Sequence, residues 1–416
     1  MIKNLGEKYS PLYFLAALGF GGLAVFFFMA FMHITPHPGT AMPTFETIMD
    51  AYAEGDGFMR SVIVAGYIGM TIFLVIHFTL LAWNLREFFA FKRTAAYDDL
   101  KQSNAEVTLM AIPLTLGMSI NGIFVAAMAF IPNLTSILQA LMPFALLAYG
   151  AVGVLALVIM GNYLRRLITT GTFSFEGNAG LNQIIAVFGF AMVGVGFAAP
   201  AAMGTNTWVV LIAVWGSMFF AMIAVLLFIV FLVSGVMSIK RYGLAVGNSA
   251  TMWLAIPTMT LWAITVLRDR HGLQTLVNAG PGGPQEHPSS SVGLMFFLSI
   301  IIVLQAAFFG LGHIVMKSNG FYRDYVLGRE ITSPAAFTLV CPGVGISVLL
   351  MFFINVGLVQ NGLLEKFSAG YYVALAIPAI TATATIWLGF TLFRNQLSKA
   401  SKFAREMQQA PEVVNA

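Results

Sequence analysis

The chain has 416 residues, 59% of them hydrophobic and only 9% charged, with a formal net charge of +4. Soluble domains carry about 25% charged residues, so the composition excludes a soluble globular protein and points to a polytopic membrane protein. In such proteins the placement of Lys and Arg sets topology, so the positive balance is not a nucleic-acid signal, and the lone Cys341 excludes an internal disulfide.

Apolar stretches of about 18 residues or more are long enough to cross a bilayer. Ten are expected, over 11–33, 61–85, 107–131, 138–164, 181–203, 207–238, 250–267, 291–316, 334–359 and 370–393. The first runs on without a small-residue cleavage site and reads as a span, not a cleaved signal peptide. Residues 107–164 and 177–239 carry no charge, and Pro132-Asn133 and Gly204-Thr205-Asn206 are the turns that divide them. Residues 34–60, with His37, Glu46, Asp50, Glu54 and Asp56, read as a surface loop. So do residues 268–290, with Arg268, Asp269, Arg270, His271 and a Pro-Gly-Gly-Pro turn. Both loops could capture solute at an outer mouth. The chain reads as one transmembrane domain, 1–403, followed by a polar tail, 404–416.

The stretch 104–132 departs from a plain lipid anchor. Pro113 removes a backbone donor and is expected to bend the helix, and Gly117, Ser119, Asn121 and Gly122 follow it. Such a helix belongs inside a bundle or beside water, where freed carbonyls find partners and backbones approach closely. The simplest role is to line a path. Ala255-Ile256-Pro257 repeats Ala111-Ile112-Pro113, and Ala376-Ile377-Pro378 is a third copy. Kinks are expected at Pro113 and Pro257.

Basic residues orient the spans. With the amino terminus cytoplasmic, the inner side receives Lys3, Lys8, Arg86, Lys92, Arg93, Lys101, Arg165, Arg166, Lys240, Arg241, Lys317, Arg323, Arg329, Arg394, Lys399, Lys402 and Arg405. Of the 21 Lys and Arg, only Arg60, Arg268, Arg270 and Lys366 stay outside. Both termini are therefore expected to be cytoplasmic, with five helical hairpins joined at the outer side.

The connection Leu81-Ala-Trp-Asn-Leu-Arg-Glu-Phe-Phe-Ala-Phe-Lys-Arg93 followed by the Ala-Ile-Pro-Leu-Thr helix resembles the tellurite-resistance/dicarboxylate transporter family, which includes bacterial TehA and the slow-type anion channels of plants. Pro11-Leu-Tyr-Phe-Leu-Ala-Ala-Leu-Gly19, Gly171-Thr-Phe-Ser-Phe-Glu176, Leu254-Ala-Ile-Pro-Thr-Met259 and Ala336-Phe-Thr-Leu339 resemble further short segments of that family, in order along nearly the whole chain. The resemblance implies an all-α membrane fold of ten helices, five hairpins around a central pore, with odd helices lining the pore and even helices outside. It implies passage of anions across a bacterial inner membrane and allows a homotrimer. A phenylalanine of the ninth helix plugs the family's pore; ungapped alignment puts Leu339 there, with Phe337 two residues before it. Either Leu339 or Phe337, or another aromatic such as Phe14, would then fill the gate.

Pro and Gly favour the odd spans, as a tendency only. The candidate path-lining residues are Phe14, Gly19, Pro113, Thr115, Gly117, Phe190, Gly194, Pro257, Thr258, Thr260, Thr338, Pro342 and Gly343. Each Thr could equally bond its own helix backbone. No Asp, Glu, Lys or Arg lies deep in any span as drawn, which argues against a carboxylate-based proton-coupled carrier. It suits a pore that admits anions through backbone dipoles and small polar groups. Glu106 is expected to complement a helix N-terminus. No cofactor, metal cluster, phosphate loop or nucleophile motif is recognised, so no covalent reaction is expected. The expected function is an anion channel or channel-like transporter with an apolar gate. One rival is a coupled carrier for dicarboxylates or sulfur or tellurium oxyanions. The other is a haem-binding electron-transfer subunit using His77 and His313.

Overall fold

The computed structural model describes residues 1–38, 40–280, 291–329 and 331–398, and all regular structure among them is helical. The polar tail and the Pro-Gly-Gly-Pro turn lie outside the described residues. Among the described residues, ten helices are long and apolar enough to cross a membrane. They are Pro11–Ile34, Gly57–Phe91, Asn104–Phe130, Thr135–Thr170, Ile184–Met203, Thr207–Tyr242, Val246–Asn278, Val292–Ser318, Pro334–Val359 and Ala369–Leu397. Each expected span falls on one of them. The helices outrun the expected bounds where a charge had been taken as an end: the second continues through Arg86 and Glu87, and the seventh through Arg268 and Asp269. Once a helix is packed, a charge that finds a partner does not stop it.

Burial separates two layers. In the most apolar stretch of each odd span 61–94% of residues are buried, against 17–39% in the even spans. The odd spans touch in a closed cycle: first with third, third with fifth, fifth with seventh, seventh with ninth, ninth with first. Each even span leans on the odd span before it and the one after it, the tenth closing back onto the first. The outer spans Thr135–Thr170 and Thr207–Tyr242 have 36 residues each, about 54 Å of helix at 1.5 Å per residue, well beyond the bilayer's hydrocarbon.

Four odd spans open as 3-10 helix before turning into α-helix. The 3-10 segments are Pro11–Tyr13, Asn104–Met110, Val246–Trp253 and Pro334–Leu339, and the α segments then start at Phe14, Ala111, Ala255 and Val340. Pro113, Pro257 and Pro342 are each the third residue of their α segment. Pro113 and Pro257, where kinks are expected, thus sit at the change of helix type near the start of their spans. Where bonding switches from i→i−3 to i→i−4, two successive N–H groups would compete for one carbonyl. A proline at the switch removes the surplus donor and orphans no acceptor. The 3-10 segment of the ninth span touches those of the first and seventh, and that of the first also touches that of the third. Together they form a dense layer at the end of the bundle that holds the amino terminus.

The Trp83–Glu87 segment ties the chain's start to that end. Trp83 Nε1 donates to the Ile2 carbonyl at 2.6 Å, and Tyr9 donates to Asn84 Oδ1 at 2.9 Å. The buried Glu87 carboxylate accepts the N–H groups of Leu5 at 2.9 Å and Asn4 at 3.2 Å. The Ile2 N–H reaches the Leu397 carbonyl at 3.2 Å, so the amino-terminal segment and the end of the tenth span lie together. Glu106 lies in the first turn of its 3-10 segment, the helix N-terminal place expected for it, and also pairs with Arg166 of the fourth span at 2.8 Å. Arg166 also donates to the carbonyls of Ser103 at 2.7 Å and Gln102 at 3.4 Å and to Thr172 at 2.9 Å. Arg166→Ala strands a carboxyl side chain only 8% exposed, and a loss of about 3 kcal/mol is expected from breaking such a pair. Thermal unfolding in detergent checks this, with Arg165→Ala as the exposed-charge control.

Candidate functional site

A cavity that offers ≈ 120 Å³ to the centres of water-sized molecules lies within the cycle of odd spans. Leu18, Gly19, Phe188, Pro257 and Cys341 line it nearest the 3-10 layer, and Met29, Met203 and Phe352 line its far part. All five odd spans contribute to the wall, with Met142, Ala145 and Tyr149 from the fourth span and Met42 from the connection before the second. That connection is not the open surface loop expected over 34–60. It contains the helix Phe45–Glu54, started by a Thr44–Thr47 capping box, and it buries Met42. The Glu46 carboxylate accepts the Asn133 N–H, which ties this helix to the turn between the third and fourth spans. That bond holds the carboxyl below the usual carboxylate range. The tie is therefore present at neutral pH and is lost only as pH falls through the lowered value.

The wall is mostly apolar, with six methionines. Its polar groups are largely occupied by one another. Tyr149 donates its hydroxyl to Asn121 Oδ1 at 2.7 Å and lies 3.2 Å from the Gly117 carbonyl; the Asn121 amide turns toward Met192 Sδ at 3.4 Å. Thr260 donates to the Gly345 carbonyl at 2.9 Å and accepts from Gln305 at 2.8 Å, a buried amide reaching in from the eighth span. Arg268 is the one charged residue among the described lining residues, and Nη1 donates to the Val195 carbonyl at 3.3 Å. Beside it Asp269 faces away, its Oδ2 accepting from Ser217 of the sixth span at 2.8 Å. Asp269 Oδ1 is buried without a hydrogen-bond partner.

Of the candidate path-lining residues, Gly19, Pro257 and Thr260 line this cavity. The others have different surroundings. Thr115 donates to the Phe14 carbonyl at 3.1 Å, and Thr258 donates to its own helix at Leu254, 2.9 Å away. Gly117 sits where a Cβ would come 2.8 Å from Met192 Cγ. A Cβ on Gly194 would meet backbone of the sixth span, at 3.2 Å from Ala221 N and 3.3 Å from Ser217 O, and one on Gly343 would strike Thr385. These glycines serve helix contact. Phe190 stacks on Phe220 of the sixth span, 6.3 Å between ring centres. Phe14, Pro113, Thr338, Pro342, Phe337 and Leu339 are buried. Phe337 and Leu339 belong to the 3-10 segment of the ninth span, with the Phe337 ring 6.4 Å from that of Tyr13.

The two histidines do not make an axial pair. His77 is buried with both ring nitrogens engaged, Nδ1 to the Ala17 carbonyl at 2.8 Å and Nε2 to Ser119 Oγ at 2.9 Å. A Cβ on Gly21 would sit 2.6 Å from that Nδ1, so the glycine makes the approach possible. His313 lies on the exposed face of the eighth span, with Nδ1 3.1 Å from the Tyr322 hydroxyl.

Arg268, expected in the loop 268–290, lies within the helix Ala255–Asn278. The lining positions of its helix are 257, 260, 261, 264 and 268, offsets of 3, 4, 7 and 11 that mark one helical face. Extending that face past Leu267 finds it. In a Cys341→Ala background, Thr260→Cys is expected to react with a small neutral thiol reagent and Thr115→Cys to stay protected. Mass spectrometry of the labelled protein checks the contrast, and equal protection of both would place Thr260 in sealed core. Comparison of the chain with protein-family models, curated proteins and solved structures found no match.

Proposed function

We propose that this protein is a multi-pass membrane channel or transporter for anions, with five helical hairpins arranged around the central cavity as the path. The observation that carries this reading is Arg268, a cation set in a mostly apolar cavity to which all five odd spans contribute. A charge at such depth is costly and marks ion paths and solute sites. Its sign selects anions. The adjacent Asp269 carboxyl is not among the described lining residues and gives its Oδ2 to Ser217. In this reading both termini are cytoplasmic in a bacterial inner membrane, and the 3-10 layer is the closed gate. Phe14, Phe337 and Leu339 lie in or next to that layer, and apolar constrictions hold ions back by excluding water.

A coupled carrier is the second reading, and Asp269 favours it. A buried carboxyl group with an unpartnered oxygen, one residue from the cavity's cation, is the kind of group that carries a proton in coupled transport. Dependence of flux on an imposed proton gradient, abolished in Asp269→Asn, would select the carrier.

The test is anion flux into liposomes containing purified protein. Arg268→Gln is expected to lower flux by about tenfold or more, equivalent to about 1.4 kcal/mol of lost attraction, with Arg268→Lys partly restoring it. Unchanged flux in well-folded Arg268→Gln would reject the reading. Truncating Phe337 or Leu339 to alanine should raise flux, one of the two far more, if the 3-10 layer is the gate.

A further inference from the structure

We infer that the cavity takes an amphipathic organic monoanion, an acidic head on an apolar body, and not a small hydrated inorganic anion or a dicarboxylate. This rests on the reading of the cavity as an anion site and narrows its ligand class.

The first argument is the supply of donors. Asn121, Tyr149 and Thr260 spend their polar atoms on one another, on Gly117, Met192, Gly345 and Gln305. Arg268 carries five N–H donors in a planar fork, and one is directed at the Val195 carbonyl. The fork matches one carboxylate or sulfonate head. A chloride or nitrate ion would leave its water shell for a wall that offers one cation and little else, and unreplaced hydration is expensive. A dicarboxylate would bring a second charge with no partner among the described lining residues.

The second argument is the rest of the space. From Arg268 to Pro257 is 11 positions along the seventh span, about 16 Å at 1.5 Å per residue. Over that length the wall is mostly aliphatic, aromatic and methionine side chains, and its Asn121, Tyr149 and Thr260 are engaged with protein partners. Methionine is unbranched and polarizable and adapts to irregular apolar bodies. A polar solute gains nothing from such a wall, whereas each methylene of an alkyl or aryl body does. The body could come from lipid, as a straight-chain carboxylate, or from soluble compounds, as an aryl carboxylate; the shared chemistry is the same.

The test is calorimetric binding to purified protein in nanodiscs, with empty nanodiscs subtracted. The probes are butanoate, hexanoate and octanoate, then phenylacetate, with chloride and succinate as competitors. Affinity is expected to rise about threefold to fourfold per methylene and to fall about tenfold or more in Arg268→Gln. Val348→Gln, which places an amide in the apolar wall, should flatten the chain-length series while keeping the dependence on Arg268. Chloride and succinate in large excess should not displace octanoate. Phenylacetate binding near hexanoate in strength supports the inference with a soluble source, and straight chains binding alone supports it with a lipid source. Displacement by chloride or succinate, or Arg268-dependent binding with no chain-length trend, would overturn the amphipathic ligand and leave anion transport standing. Chain-length-dependent binding indifferent to Arg268→Gln would also overturn it, as binding of an apolar body alone. No Arg268-dependent binding of any probe, with no Arg268-dependent flux, would remove both readings.

Discussion

Every backbone N–H and C=O in apolar surroundings needs a protein partner, and this bundle meets that demand at the prolines of its inner helices. Three of them sit where 3-10 bonding gives way to α bonding, a place where a missing donor costs no acceptor its bond. The consequence reaches the whole architecture. Below the switch the inner segments are 3-10 turns, thinner than α-helix and rich in buried side chains such as Tyr13, Met110, Trp253 and Phe337. Above it they are α-helices far enough apart to leave a cavity. The same short motif therefore sets both the sealed end and the start of the open part.

Charge is rationed along the same lines. Glu87 is satisfied by backbone donors of the amino-terminal segment, and Glu106 by the Arg166 fork. Both work at the sealed end, and both hold connecting chain against helix ends. Arg268 differs in kind, because its single protein bond leaves most of the guanidinium facing cavity. Buried cations are retained where they are paired or where they do something. Glu87 and Glu106 are partnered within the protein, whereas Arg268 makes one hydrogen bond beside Asp269, and in the proposed reading the rest of its fork meets the anion.

The outer helices contribute contacts as well as cover. Gln305 passes from the eighth span to the Ile256 carbonyl and Thr260 at 2.8 Å each, bracing the seventh span beside Pro257. Tyr149 does the same for the third span at Asn121. Gly194 lets the backbone of the sixth span approach the fifth, and Gly343 lets Thr385 of the tenth span close on the ninth. A wall braced from behind keeps its shape without filling the cavity.

The sequence by itself determined that the chain is ten apolar helices, because length and hydropathy are local and each span carries its own signal. It also singled out the Ala-Ile-Pro settings, since a proline in apolar sequence stands out without knowledge of its partners, and the Leu81–Arg93 connection through a resemblance of its residues. What those residues do was decided only by tertiary structure. Pro113 reads as a kink until the 3-10 turn before it is seen, and Thr115 and Thr260 look alike until one is found against the Phe14 carbonyl and the other on the cavity wall. Arg268 was hidden because a span read by hydropathy ends at its first charge, whereas a helix ends where its backbone bonding ends. Which face of a helix is inward depends on the four spans packed around it, some of them brought from distant parts of the chain, and no local pattern with a weak hydrophobic bias can encode that choice.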